Sequence, residues 1–321
     1  MPKKNSLHSA LMDSLIHKHQ LIADLINKRN VFYLDVPVYN NIGDLLIMLG
    51  TLKFFDRYNI TVKEISSYIN FSNKNISPED VIVLQGGGNF GDLYPILQQF
   101  REMVVRNYPD NKIIILPQTI YFESKQNYQR CCEVFSKHND LHIFTRDEAS
   151  YKLALPMSKH VYLAPDMAHQ LYPITLTNKR NKKVLLVSRK DKEASIYNLD
   201  IKPDTTTDWD EVLGVHNIFI RIFAKIFKAI SYFRLNFLFH CLLPRLWIEY
   251  SRVLVDRAIK LFSEYEIIIT NRLHGHILAC LMDKKNIVYD NSYGKISSYI
   301  KLWTKESNLV DLREKNKYKE V

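Results

Sequence analysis

Apolar residues recur along this chain in two alternating rhythms. Between positions 6 and 28, Leu7, Leu11, Leu15, Ile22 and then Leu25 or Ile26 fall at helical intervals, and the spacing predicts a helix. VFYLDV (31–36) follows, a short run of strand formers. VIVLQ (81–85), IIILP (113–117) and HIFT (142–145) repeat that run, separated by longer stretches of helical mixture. Near-continuous apolar strands belong in a sheet covered by helices on both faces, the parallel α/β arrangement. Ligands of such sheets gather beyond the carboxyl ends of the strands. The segments to inspect for chemistry are therefore PVYNNIGD, GGGNFGD, PQT and TRDEAS, each of which leaves an apolar run.

The rhythm restarts at KKVLLVSRK (182–190) and continues through EIIITNRLHGH (266–276) and NIVYDNSYGK (286–295). This predicts two α/β domains, residues 1–175 and 176–321, with the linker near LYPITLTNKR (171–180) and a cleft between them. No internal repeat or low-complexity tract interrupts them. The second domain carries an insertion at about 211–250 whose centre, 216–247, is apolar, aromatic and basic at once. It holds Arg221, Lys225, Lys228, Arg234 and Arg245 and no acidic residue. Two readings stand for it: an amphipathic helix or helix pair lying in a membrane interface, or an ordinary packed helical insertion.

Composition narrows the class without choosing the function. Hydrophobic residues at 46% and charged residues at 24% are ordinary globular usage, which argues against large-scale disorder. The 44 lysines and arginines against 34 acids give a formal charge of +10, which favours anionic partners. Cys131, Cys132, Cys241 and Cys280 show no CxxC pattern, so neither a disulfide framework nor a zinc knuckle is expected. The basic start MPKK leads into a segment broken by Asp13, His17, Lys18 and His19, with no signal-peptide apolar region, and no apolar run reaches bilayer-spanning length. The expected location is the cytoplasm, with peripheral contact at the inner face of the plasma membrane if the insertion lies in lipid.

In GGGNFGD, Gly87, Gly88 and Asn89 offer close backbone approach and amide donors to an anion, although a tight turn explains the glycines as well. The tract is neither a dinucleotide fingerprint nor a P-loop. Asn41 and Asp44 of NNIGD stand where a helix begins. Asp44 reads as a helix cap or as a carboxylate able to hold sugar hydroxyls or take a proton, and Asp92 carries the same ambiguity. Arg146 of TRDEASY can fork onto a phosphate or carboxylate, or form an internal ion pair. Arg272, His274 and His276 leave the strand EIIIT at its carboxyl end. Histidines two apart do not share a helical face, so one is expected to be functional and the other structural. A histidine beside an arginine suits acid-assisted chemistry on a phosphate or carboxylate, and Lys295 adds a cation from the next loop.

Taken together, NIGD (41–44), QGGGNFGDLYP (85–95), LPQT (116–119), TRDEASY (145–151), LAPDMA (163–168), NRLHGHI (271–277) and DNSYGK (290–295) resemble the polysaccharide pyruvyl transferase family, especially members from exopolysaccharide and biofilm-matrix gene clusters. The resemblance implies two Rossmann-like domains in a glycosyltransferase-B-like arrangement, phosphoenolpyruvate as donor and a sugar diol as acceptor. It places the anion-binding arginine at Arg146, the R-x-H pair at Arg272 and His274, and the late lysine at Lys295. In the scheme it implies, His274 protonates the methylene carbon of phosphoenolpyruvate, and Arg146, Arg272 and Lys295 hold its carboxylate and phosphate. Asp44 or Asp92 serves as base when the ketal closes. The scheme calls for no metal and no cofactor besides the donor. The acceptor is a saccharide or a lipid-linked oligosaccharide. Two alternatives use the same features: a nucleotide-sugar glycosyltransferase, and a non-enzymatic basic protein binding nucleic acid or an acidic polymer. No recognisable nucleic-acid motif supports the last.

Overall fold

The computed structural model describes residues 7–71, 76–175, 182–189, 199, 201–233, 239, 242–290 and 295–313. Their strands form two parallel sheets. The first is built from β1 (Val31–Leu34), β2 (Val62–Ser66), β3 (Val81–Leu84), β5 (Lys112–Tyr121), β6 (Leu141–Thr145) and β7 (His160–Leu163), in the order β2-β1-β3-β5-β6-β7. The second is built from β8 (Lys182–Val187), β9 (Thr205–Thr207), β10 (Tyr265–Thr270), β11 (Lys285–Tyr289) and β12 (Val310–Arg313), in the order β12-β11-β10-β8-β9.

Alternation along the central strands explains why they read as unbroken apolar runs. Val81 and Val83 of β3, with Ile114 and Leu116 of β5, enter one hydrophobic core. Ile82, Leu84, Ile113 and Ile115 enter another on the opposite face, against Phe100 and Val104 of α4 (Pro95–Asn107) and Cys131 and Phe135 of α5 (Lys125–Phe135). Each such aliphatic side chain contributes roughly 1.5–3 kcal/mol relative to exposure. The first core does not stop at the first sheet. It continues through α3 (Ile42–Arg57) into Leu185, Val187, Ile268 and Ile277 of the second half and into Trp247 and Phe262 of the long helix α9 (Leu242–Ser263).

Three elements differ from the pattern read in the sequence. The first helical stretch is two helices, α1 (Leu7–His17) and α2 (Gln20–Ile26). The break falls where His19 turns inward to bond the Pro165 carbonyl at 2.8 Å and Gln170 at 2.8 Å. Part of GGGNFGD is extended rather than looped: β4 (Gly87–Gly91) pairs with Gln118, Ile120 and Tyr121 of β5, which runs five residues beyond the apolar segment IIIL to Tyr121. The insertion contributes α7 (Trp209–Leu213), α8 (His216–Tyr232) and the start of α9, with Phe223 of α8 against Trp247 and Tyr250 of α9. Arg234 lies outside the described residues, as does most of the segment joining α8 to α9. No helix among the described residues is long and apolar enough to cross a membrane.

Candidate active site

A cavity of about 610 Å³ opens where strands of both sheets end. Three strand-to-helix junctions supply its polar wall, and a fourth, at Asp166, lies behind it. Asn41, Asp147 and Asp166 cap the helices that start there, because backbone donors need acceptors at those positions, whereas Arg272 makes no side-chain cap bond.

The first junction leads into α3. Asn41 is the N-cap, its side-chain oxygen accepting from the amides of Gly43 at 2.9 Å and Asp44 at 3.4 Å. Asp44 is thus not the cap that its position suggested but a residue of the first turn, half-buried on the cavity wall. Burial raises its pKa above the ordinary carboxylate value, and Asp166 adds to this; His274, a hydrogen bond from Tyr39 and Arg146 oppose it.

The second junction follows β6. Arg146, 6% exposed, donates from Nε to the Thr119 hydroxyl at 2.8 Å and from Nη1 to Asp166 Oδ2 at 2.6 Å. Thr119 in turn donates a hydrogen bond to Asp147, which caps α6 (Glu148–Ala154), so the hydroxyl oxygen faces the arginine as acceptor. Asp166 lies at a third junction, after β7, and is fully buried. Its Oδ1 accepts from the Ala168 amide at 2.9 Å, while Oδ2 accepts from both Arg146 and, at 3.3 Å, His274 Nε2. Burial alone would raise the Asp166 pKa; the charge and hydrogen bond of His274, then Arg146 and the Ala168 amide, outweigh it and hold the carboxyl well below its usual range.

The fourth junction, after β10, begins α10 (Leu273–Leu281) with Arg272 at its N-cap position and His274 in its first turn. The His274 ring is held between Asp166 and the start of α3: a Cβ added to Gly43 would come within 2.4 Å of His274 Nδ1. NIGD thus requires glycine for the passage of a side chain from the other half. Arg272 grips Asp208 through two bonds, Nε to Oδ1 at 2.5 Å and Nη2 to Oδ2 at 2.6 Å. This bidentate geometry is the guanidinium–carboxylate fork.

Behind the wall, Asn89 accepts from Arg101 Nη2 at 2.8 Å and Gln118 Nε2 at 3.3 Å, and its side chain also hydrogen-bonds Tyr39 of the cavity lining. Arg101 is itself buried against Asp35, whose pKa burial pushes up to about 7 against the pull of Arg101.

The cavity lining brings together Asn41, Asp44, Gly88, Asn89, Arg146, Arg272 and His274 among the residues singled out from sequence. Gly87 takes a φ of 130° within β4 and is not part of the lining. Asp92 does not face the cavity: its carboxylate accepts from the amides of Glu123 at 2.7 Å and Ser124 at 2.8 Å and from Asn127, tying down the start of α5. His276 is also absent from the lining. It is fully buried, with Nδ1 2.7 Å from Asn286 Oδ1 and Nε2 2.9 Å from Thr304 Oγ1, and burial lowers its pKa to about 4. The Lys295 side chain lies outside the described residues, although its neighbour Ile296 lines the cavity.

Sequence reasoning did not assign a role to Asp166, although LAPDMA was among the matching segments, and it missed Asp208, Tyr39 and Arg189. Asp208 follows β9, whose sequence Thr-Thr-Thr carries no apolar run to announce a strand. Tyr39 stands in PVYNNIGD, the segment after β1, and Arg189 in the loop after β8. Being just beyond a strand end was the signal available for them.

Two parallel sheets that turn their strand ends toward one cavity, with Arg146, Arg189 and Arg272 in its wall, define an α/β protein with a charged pocket at the strand ends. The chain belongs to the polysaccharide pyruvyl transferase family, whose model matches residues 41–293. It is 42% identical over 303 residues to "Putative pyruvyl transferase EpsO" of Bacillus subtilis, covering 93% of this chain and 92% of that one. It is 28% identical over 293 residues to Pyruvyl transferase 1 of Schizosaccharomyces pombe, covering 86% of this chain and 70% of that one. A crystal structure of an uncharacterised Klebsiella pneumoniae protein shares the fold, with a TM-score of 0.58 at 20% identity over 92% of this chain and 96% of that one.

Proposed function

We propose that the chain transfers the pyruvyl group of phosphoenolpyruvate onto a sugar diol of an exopolysaccharide or its lipid-linked precursor, forming a cyclic pyruvate ketal. The observation that carries this reading is the connected row Arg146–Asp166–His274, in which Arg146 and His274 line the cavity and the buried Asp166 carboxylate joins them from behind. The two α/β halves act as Rossmann-like domains, residues 1–175 and 176–321, closing on the substrates between them.

Phosphoenolpyruvate presents a carboxylate and a phosphate on one small carbon frame. Arg146 and Arg272 each keep N–H groups not engaged by Asp166 or Asp208, and these meet the two anions. Lys295, where the helix after β11 begins, is the third cation that the family resemblance supplies. His274 gives a proton to the methylene carbon, and the neighbouring carbon becomes electrophilic. One sugar hydroxyl attacks that carbon and loses its proton to Asp44, whose raised pKa suits it to accept one. Attack by the second hydroxyl breaks the bond to phosphate, which departs against the arginines. The balance is one phosphoenolpyruvate and one diol giving one ketal and one inorganic phosphate, with one hydroxyl proton ending on the new methyl group and the other on the departing phosphate. The Asn89 amide and the Gly88 backbone form the floor on which the phosphate rests.

Labelled phosphoenolpyruvate incubated with the protein and cell-derived glycans should place label in a saccharide and release phosphate in equal amount. Phosphoenolpyruvate should also raise the thermal midpoint, because a ligand of the folded state stabilises it. Stabilisation by a UDP- or GDP-sugar instead, with no label transfer, would move the assignment to a glycosyltransferase.

A further inference from the structure

The helix α8 is apolar on two faces, and only one of them packs on the protein. Ile220 and Phe227, two turns apart, are buried against the core. At the helical period of about 3.6 residues, Val215, Ile218, Phe219, Ile222, Ile226 and Phe233 fall on a different face. They are exposed: Val215 is 68% accessible, Ile218 62%, Phe219 52% and Phe233 67%. Isolated exposed apolar residues need no explanation, but a contiguous stripe of six marks a contact surface. Along one edge of the stripe run Arg221, Lys225 and Lys228, all exposed, and residues 216–247 contain no acid to neutralise them. An apolar strip edged by cations along the helix complements a surface whose interior is hydrocarbon and whose rim is negative.

The stripe begins at the mouth of the cavity. Asn40, which lines the cavity, donates to Asp210 and to Asn217 in the first turn of α8, each at 3.2 Å. Leu93, Tyr94 and Ile96 also line the cavity and are 47%, 52% and 61% exposed, so the rim itself carries apolar side chains outward.

We propose that α8 docks the protein on an anionic membrane, its apolar stripe in the headgroup–acyl boundary and Arg221, Lys225 and Lys228 on acidic headgroups. Docking sets the cavity mouth at the bilayer surface, where the acceptor is a saccharide still attached to its lipid carrier. That statement about the acceptor rests on the pyruvyl-transfer reading; the docking does not.

The test is cosedimentation of the full chain with phosphatidylcholine vesicles made with and without phosphatidylglycerol. Wild type should bind the anionic vesicles, and binding should weaken with salt. Arg221→Gln/Lys225→Gln/Lys228→Gln should lower that binding by roughly fivefold for each cation removed. Ile218→Glu/Phe219→Glu/Ile222→Glu should abolish it, with thermal midpoint and phosphate release on a soluble glycan kept as in wild type. Equal binding by wild type and the glutamate variant, or no binding by wild type to anionic vesicles, overturns the proposal. So does a wild-type dimer that the glutamate variant converts to monomer without vesicle binding, which would make a second copy of the chain the occupant. If vesicles bind as expected but label transfer from phosphoenolpyruvate fails, the docking surface stands and the chemical reading falls.

Discussion

Replacing Asp166 by asparagine probes the centre of the site with almost no change in shape. The carboxylate uses both oxygens as acceptors, Oδ1 for the Ala168 amide and Oδ2 for Arg146 and His274. Asparagine has one acceptor oxygen and one NH2, so either orientation sets an N–H group against donors. Arg146, 6% exposed, then keeps its charge with the Thr119 hydroxyl and the cavity to receive it. Removing one partner of a buried ion pair costs about 3–5 kcal/mol. The cavity opening moderates that, and a loss of about 3 kcal/mol is expected. His274 also loses the acceptor that orients it, for which a fall in turnover of about 100-fold, equivalent to about 2.7 kcal/mol, is expected.

The pH dependence is fixed by the direction of the Asp166 shift. A carboxyl held below its usual range contributes stability that is fully present above the unfolded value of about 3.9 and disappears only as pH falls toward the lower folded value. The difference between Asp166→Asn and wild type in urea unfolding should therefore persist from pH 8 to pH 5 and shrink only as pH falls below the unfolded value. A cost under about 1 kcal/mol with turnover retained, or a cost that vanishes between pH 8 and pH 5, would refute the reasoning.

His274→Gln should reduce phosphoenolpyruvate-dependent phosphate release by about 100-fold or more, whereas Asp92→Asn should leave it intact and cost about 1 kcal/mol, the price of a weakened cap; equal losses in single-turnover assays would contradict the placement of both residues. Gly43→Ala should lower turnover by at least about tenfold, since its Cβ would lie 2.4 Å from His274 Nδ1, with the helix itself little changed by circular dichroism. Burial lowers the pKa of His19 to about 4, His169 to about 3 and His276 to about 4. Each binds its proton only in the unfolded chain between pH 6.5 and those values, so stability should fall on acidification by about 1.4 kcal/mol per pH unit for each histidine. His276→Gln should make that slope shallower; an unchanged slope would show that His276 titrates normally.

Much of the fold was legible because its signals are local. Apolar runs at 81–85, 113–117, 142–145 and 266–270 became strands buried on both faces, and the loops beyond them supplied the cavity wall. The single helix expected over 6–28 broke in two because His19 found hydrogen-bond partners more than a hundred residues away, the Pro165 carbonyl and the Gln170 amide. The strand Thr205–Thr207 escaped notice because hydropathy cannot register a polar strand held by pairing with β8.

By itself the sequence determined the parallel α/β architecture, the family, and the short list of residues able to carry chemistry. It also marked residues 216–247 as apolar, aromatic and basic at once, a composition open to a membrane-interface helix or to an ordinary packed insertion. Tertiary structure alone decided which charges meet. Asp166 joins Arg146, 20 positions away, to His274, 108 positions away, and Asp208 claims Arg272 across 64 positions. Asp92 and His276, as plausible by pattern as Asp44 and His274, turn into a helix cap and a core hydrogen bond. Hydrophobic periodicity is a property of neighbours in the chain and survives being read as text. Ion pairing and desolvation depend on distance and burial in space, which exist only once the two sheets have packed.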